Sequence, residues 1–220
     1  MFTADGFYRN NLKNGLRYSI VDMCLDDELG DIMPDQKNML MAEFMTEKIA
    51  VARHANGIDY WILTHKYQST DFYAYRLTPN GLEENPVVTG IGSIHQDFIS
   101  ANSTSAAIGQ MKISPNGKKL ALCFTNTSPN VFEMFDFDAQ TGKVSNVISF
   151  ARFLTDNTFS TYGIEFSPGN SKLYLATSSG IAQVNLNAGN GTNNDILNSF
   201  VFIHQGYSCL LYTSPSPRDS

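Results

Sequence analysis

The chain has 220 residues, 42% of them hydrophobic, with 15 basic and 21 acidic side chains and a net charge of −6. That length and apolar share suffice to bury a substantial core, and the acidic balance argues against nucleic acid or an anionic membrane surface as the default partner. No apolar run reaches the roughly 18 residues that a membrane-spanning helix needs, and Met1 to Asp5 carry neither the basic nor the apolar region of a signal peptide.

In chain order, Phe2 and Thr3 read as the end of a strand, residues 10–15 as a polar turn and residues 16–23 as a clear strand. Residues 26–30 make an acidic turn, and residues 38–41 are expected to close this part of the chain. Residues 47–53 alternate as a strand, with Ile49 and Val51 on one face. Further strands are expected at 60–64, 72–77 and 87–89, followed by a Ser/Asn/Gly-rich connection at 100–105.

The most informative stretch is residues 108–124. Met111 and Ile113 alternate with polar neighbours, Ser114-Pro115-Asn116-Gly117 makes a turn, and Leu120 and Leu122 resume the alternation. Period-two patterning on both sides of such a turn is a β-hairpin. Pro115 presets φ for the second turn position, while Asn116 and Gly117 tolerate positive φ. The hairpin recurs: residues 167–175 match residues 114–122, and residues 54–62 match the same positions. Each copy precedes a second strand pair, with turns at 79–81, 140–142 and 188–191. Four short strands recurring at a fixed period are the mark of propeller blades. A sandwich would not repeat the same turn chemistry at the same place.

The expected fold is therefore all-β, a β-propeller fragment of about three and a half four-stranded antiparallel blades in an open arc. Its expected parts are a partial blade at 1–45, blades at 46–100, 101–154 and 155–207, and a distinct tail at 208–220. In the partial blade only outer strands are expected, with the inner strands upstream and Met1 an internal start. Met111, Ile113, Leu120, Leu122, Phe135, Phe137, Ile164, Phe166, Leu173 and Leu175 are expected in the core.

Residues 14–23 (NGLRYSIVDM) and 29–31 (LGD), with 46–49 (TEKI) and 61–65 (WILTH), resemble the propeller near the N-terminus of large Bacteroidota surface proteins. Those proteins commonly end in a type IX secretion, gliding-motility-associated sorting domain. Residues 113–122 and 135–144 are similar to the broader YVTN/WD40-like repeat. The resemblance implies a secreted or cell-surface location and brings no catalytic motif, so no site residue is carried over from it. Cys209 to Asp219 resemble the translation of a transposase sequencing adapter, which sets the tail apart as an assembly artefact and implies truncation downstream.

Candidate chemistry is sparse. Cys24, Cys123 and Cys209 have no metal-ligand spacing, and Cys24 and Cys123 sit in strand patterns as expected buried thiols. His54, His65, His95 and His204 are scattered along the chain, and His54 stands at a turn where the other copies have Ser. Asp136 and Asp138 suggest calcium, but Gly142 falls one place late for an EF-hand loop, and a hairpin with Phe135 and Phe137 inward explains them better. The Asn-rich connection at 185–195 reads as a flexible turn. The Tyr and Phe residues fall at alternating strand positions and are assigned to blade packing rather than to a sugar-binding face.

Nucleophile-elbow, metalloprotease and phosphate-loop patterns are missing from the sequence. No catalytic, cofactor-binding or metal residue is nominated, and no cofactor is expected. The leading expectation is a non-catalytic scaffold or binding module of a large secreted bacterial surface protein. Its partner would be an unidentified protein or glycan, with no nucleic acid, no membrane insertion and further blades packed at both ends. The rival is a propeller hydrolase of the lactonase or phosphotriesterase type with a divalent cation in the channel. That rival needs acidic residues at several inner strands, and Glu165 is the candidate, because the other inner positions, Ile49, Gly109 and Gly163, offer no side-chain ligand.

Overall fold

The computed structural model describes residues 1–5, 12–95, 105–123, 130–151 and 161–206. The Cys209 tail lies outside these residues, as do most of the connection at 100–105 and the expected blade end at 152–154. The chain folds into successive antiparallel sheets. The first is formed by β1 (Phe2–Ala4), β2 (Leu16–Tyr18) and β5 (Met39–Ala42), in that order, with β3 (Val21–Asp22) and β4 (Asp31–Ile32) paired as a separate arm. The second contains β6 (Met45–Arg53), β7 (Tyr60–Lys66), β8 (Asp71–Thr78), β9 (Gly81–Leu82) and β10 (Val87–Gly90), ordered β10-β8-β7-β6 with β9 attached to β8.

The third and fourth sheets run in plain sequence order. They are β11 (Met111–Ile113), β12 (Lys119–Cys123), β13 (Asn130–Phe137) and β14 (Val144–Ala151), then β15 (Thr161–Phe166), β16 (Lys172–Thr177), β17 (Gly180–Asn185) and β18 (Val201–Gln205). Strands β1, β6, β11 and β15 follow one another along the inner side. This is the open arc of a β-propeller fragment.

The repeated hairpins form for the reason their sequence suggests. Met111 pairs with Leu122 and Ile113 with Leu120, and Ile164 pairs with Leu175 and Phe166 with Leu173. The three turns share one hydrogen-bond scheme, in which the fourth turn residue donates its N–H to the carbonyl of His54, Ser114 or Ser167. That fourth residue has φ of +74° at Gly57, +70° at Gly117 and +59° at Asn170. Glycine and asparagine are the residues that enter this left-handed region at least cost.

Stacking buries both faces of the inner sheets, and alternation assigns each residue to one neighbour. On β12, Leu120 and Leu122 face the second sheet while Ala121 and Cys123 face the fourth. Phe135 and Phe137 join the former core, and Phe132 and Met134 the latter. Ile164, Phe166, Leu173 and Leu175 are buried as expected, together with Met111, Leu120, Leu122, Phe135 and Phe137, whereas Ile113 is only half-buried. Each such side chain contributes on the order of 1.5–3 kcal/mol by leaving water.

Three expectations are corrected. Cys24 is exposed, because β3 stops after two residues and Cys24 falls in the turn beyond it. The first sheet includes an inner strand, β1, beside β6, contrary to the expectation of outer strands only. Ile49 and Val51 share one face of β6 as expected, Ile49 half-buried against the core of the first sheet and Val51 exposed, while Thr46, Lys48, Ala50 and Ala52 lie buried on the other face. The Asn-rich connection ends in a short helix, α1 (Asn193–Asn198), nucleated where Thr192 and Asp195 cap each other's backbone N–H groups.

Candidate functional site

The inner strands enclose a cleft of about 370 Å³, lined by Glu47 to Ile49, Gly109 to Lys112 and Tyr162. Gly109 shapes it. Its φ is +121°, and a Cβ at that position would meet the Cys123 carbonyl oxygen at 2.8 Å. The Gly109 N–H donates to Glu47 Oε1 at 3.0 Å, tying the second sheet to the third. Gln110 does the same toward the fourth sheet: its N–H donates to the Tyr162 carbonyl at 2.9 Å, and its Oε1 accepts from the Ile164 N–H at 3.2 Å.

Glu165 reaches this edge but is engaged. Its Oε2 lies 3.0 Å from Lys112 Nζ, and its Oε1 accepts the Phe166 N–H at 3.2 Å. Of the other inner positions, Ile49 and Gly109 line the cleft, while the Gly163 carbonyl lies behind it and accepts from Cys123 Sγ at 3.7 Å. No group of three or more His, Cys, Asp and Glu side chains among the described residues is placed to hold a metal ion.

Behind the cleft lies a polar centre that sequence reasoning missed. Lys48, on the inward face of β6, is 1% exposed and donates through Nζ to the Ala106 and Ile108 carbonyls at 3.1 and 2.8 Å. His65 and His95, thirty residues apart in the chain, stack with ring centroids 3.6 Å apart and planes 16° from parallel. His65 Nδ1–H donates to the Lys66 carbonyl at 2.9 Å, and the ring packs edge-on against Phe72. Burial pushes His65 down to about 3, reinforced by the Lys48 charge and opposed by the Lys66 bond. Burial, then the charges of His65 and Lys48, hold His95 well below its ordinary value.

Burial also pushes the Cys123 thiol up to about 12, so it is protonated at neutral pH and no nucleophile. The imidazoles are likewise neutral there. The available signal was positional: Thr46, Lys48, Ala50 and Ala52 share one strand face by period two, and Lys48 interrupts a run of small residues.

The remaining histidines are apart from this centre. His54 is 4% exposed, packs against Trp61 with centroids 5.4 Å apart, and accepts the Asn56 N–H through Nδ1 at 3.0 Å. It thus bonds the turn backbone as its counterparts Ser114 and Ser167 do. His204 is exposed on β18. Asp136 is paired with Lys119 at 2.5 Å, and Asp138 accepts from the Gln140 N–H and the Thr141 hydroxyl, so both serve their hairpin.

A second concavity, about 710 Å³, opens on the turn face between the second and third sheets. Val51, Ile113, Pro115 and Ala139 supply apolar lining, and Arg53 and Lys118 supply positive charge. One of its lining residues, Ala139, accepts the Trp61 Nε1–H through its carbonyl at 2.9 Å.

No protein-family model matches the chain, and no curated protein matches it in sequence. Solved structures do resemble it. A candidate 6-phosphogluconolactonase of Bacteroides uniformis superposes with a TM-score of 0.50 at 15% identity, over 93% of this chain and 55% of its own. A second candidate 6-phosphogluconolactonase, from Bacteroides fragilis, gives 0.50 at 11% identity, over 77% and 44%. A protein of unknown function from Desulfotomaculum acetoxidans gives 0.51 at 13% identity, over 80% and 49%. The chain spans about half the length of these structures, and the likeness at such identities is one of fold.

Proposed function

We propose that this chain is a non-catalytic β-propeller module, a scaffold or binding surface within a large secreted bacterial cell-surface protein, whose ligand is a protein or glycan. The observation that supports it is the state of Glu165. The acidic residue best placed to serve a channel cation is held by the Lys112 ammonium and the Phe166 N–H. Glu47 is likewise committed to Gly109. Calcium needs about six to eight oxygen ligands, and drawing on Glu165 or Glu47 would first break these bonds. The resemblance of residues 14–23 and 61–65 to Bacteroidota surface propellers supports the location, and in this reading further blades pack at both ends of the arc.

Calcium titration of the protein by calorimetry, with lactone and phosphotriester hydrolysis assayed alongside, tests the proposal. The expected result is no metal-dependent turnover and no change on Glu165→Gln. Metal-dependent hydrolysis abolished by Glu165→Gln establishes the hydrolase instead.

A further inference from the structure

The arm made by β3 and β4 pairs as a two-stranded sheet of its own, separate from the strands of the first sheet. Its apolar side chains are outside: Leu29 is 76% exposed and Met23 63%, with Ile20, Val21 and Leu25 also exposed. Residues 20–32 carry Asp22, Asp26, Asp27, Glu28 and Asp31 and no Lys or Arg. Asp26, Asp27 and Glu28 stand consecutively at φ of +50°, +52° and +69°, a backbone region that L residues resist. The loop is held there by Leu29 N–H donating to the Asp26 carbonyl and Gly30 N–H donating to the Leu25 carbonyl, both at 3.0 Å. The result is a tip that presents leucine and methionine among carboxylates. Contiguous exposed apolar side chains of this kind mark contact surfaces.

The turn-face groove has the opposite character. Its apolar lining includes Val51, 54% exposed, with Ile113, Pro115 and Ala139. Arg53 and Lys118 are exposed at its edge, and neither is in an ion pair among the described residues. Its acid, Asp138, is turned into its own hairpin by the Gln140 and Thr141 bonds. At about 710 Å³ it has room for several side chains.

We infer from this match of apolarity and charge that the β3–β4 arm of one copy of the chain docks into the turn-face groove of a second copy. Met23 and Leu29 enter the groove, and Asp26, Asp27 and Glu28 face Arg53 and Lys118. Reciprocal exchange of arms closes a two-fold dimer with two equivalent contacts, the commonest symmetry of soluble oligomers. The charges steer and orient the contact, and burial of the apolar tip stabilises it.

Sedimentation equilibrium of the whole chain over a range of concentrations tests this. A monomer–dimer equilibrium is expected, with the dissociation constant raised at least about ten-fold in Met23→Ser/Leu29→Ser and in Arg53→Glu/Lys118→Glu. All four positions are on the surface, and unchanged circular dichroism verifies the fold of each variant. Mixing Arg53→Glu/Lys118→Glu with Asp26→Lys/Asp27→Lys is expected to restore association. A chain that stays monomeric throughout overturns the inference, as does failure of the charge-swapped mixture to associate. Association that is equal in wild type and both groove and arm variants also overturns it, because it then runs through the bare sheet faces at the ends of the arc.

Discussion

The interface between the third and fourth sheets and the interface between the second and third are built on the same hairpin repeat, yet their interiors differ. The former is apolar: Phe132 and Phe150 stack 3.8 Å apart among Ile164, Phe166, Leu173 and Leu175. The latter has an apolar half around Trp61, Phe72 and Phe135, but its inner end holds Lys48, His65 and His95. Alternation delivers side chains to an interface whatever their chemistry. The difference shows that a propeller blade tolerates buried polar groups where neighbouring backbone supplies partners, as the Ala106 and Ile108 carbonyls do for Lys48.

The sharpest way to break the apolar interface is to empty it. Phe132→Ala, a fully buried ring in contact with Phe150, is expected to lower stability by about 3–5 kcal/mol, as measured by urea unfolding. A loss under about 1 kcal/mol means that the two sheets are not packed as described.

Acid separates the two interfaces. His65 has a folded value of about 3, below its ordinary 6.5, so the unfolded chain binds the proton first as pH falls. The stability that the neutral ring contributes is therefore fully present above pH 6.5 and declines progressively toward pH 3. In that window the slope approaches about 1.4 kcal/mol per pH unit for each buried histidine. His65→Phe is expected to flatten the pH dependence of the melting temperature between pH 6 and 4, whereas Phe132→Ala lowers the curve without flattening it. Parallel curves for wild type and His65→Phe contradict the burial of the histidine pair.

The smallest expected effect lies where the two interfaces meet at the cleft. Gly109→Ala places a Cβ 2.8 Å from the Cys123 carbonyl oxygen at a φ of +121°. A loss of about 1–3 kcal/mol is expected from the strained backbone, read as a lower urea midpoint. An unchanged midpoint shows that this backbone relaxes and does not set the shape of the cleft.

The hairpins, their turns and the alternating core were legible in the residues themselves. Turn chemistry and period two are local properties, and the repeats at 54–62, 114–122 and 167–175 state them three times over. Period two divides a strand into two faces but does not say what covers each. Ile49 and Val51 share one face of β6, where Ile49 packs toward the core of the first sheet, yet the third sheet packs on Thr46, Lys48, Ala50 and Ala52, because small side chains leave room for Met111, Leu122 and the Lys48 stem. Burial of Lys48 rests on carbonyls about sixty residues away, and the His65–His95 stack on a contact thirty residues apart. Pairings over such distances leave no local pattern. The charge and the apolar residues of the β3–β4 arm are plain in the sequence, but their exposure depends on where the first sheet ends. Sequence by itself determined the strands and their turns; tertiary structure decided which neighbour covers each face of a strand, because stacked sheets bury both.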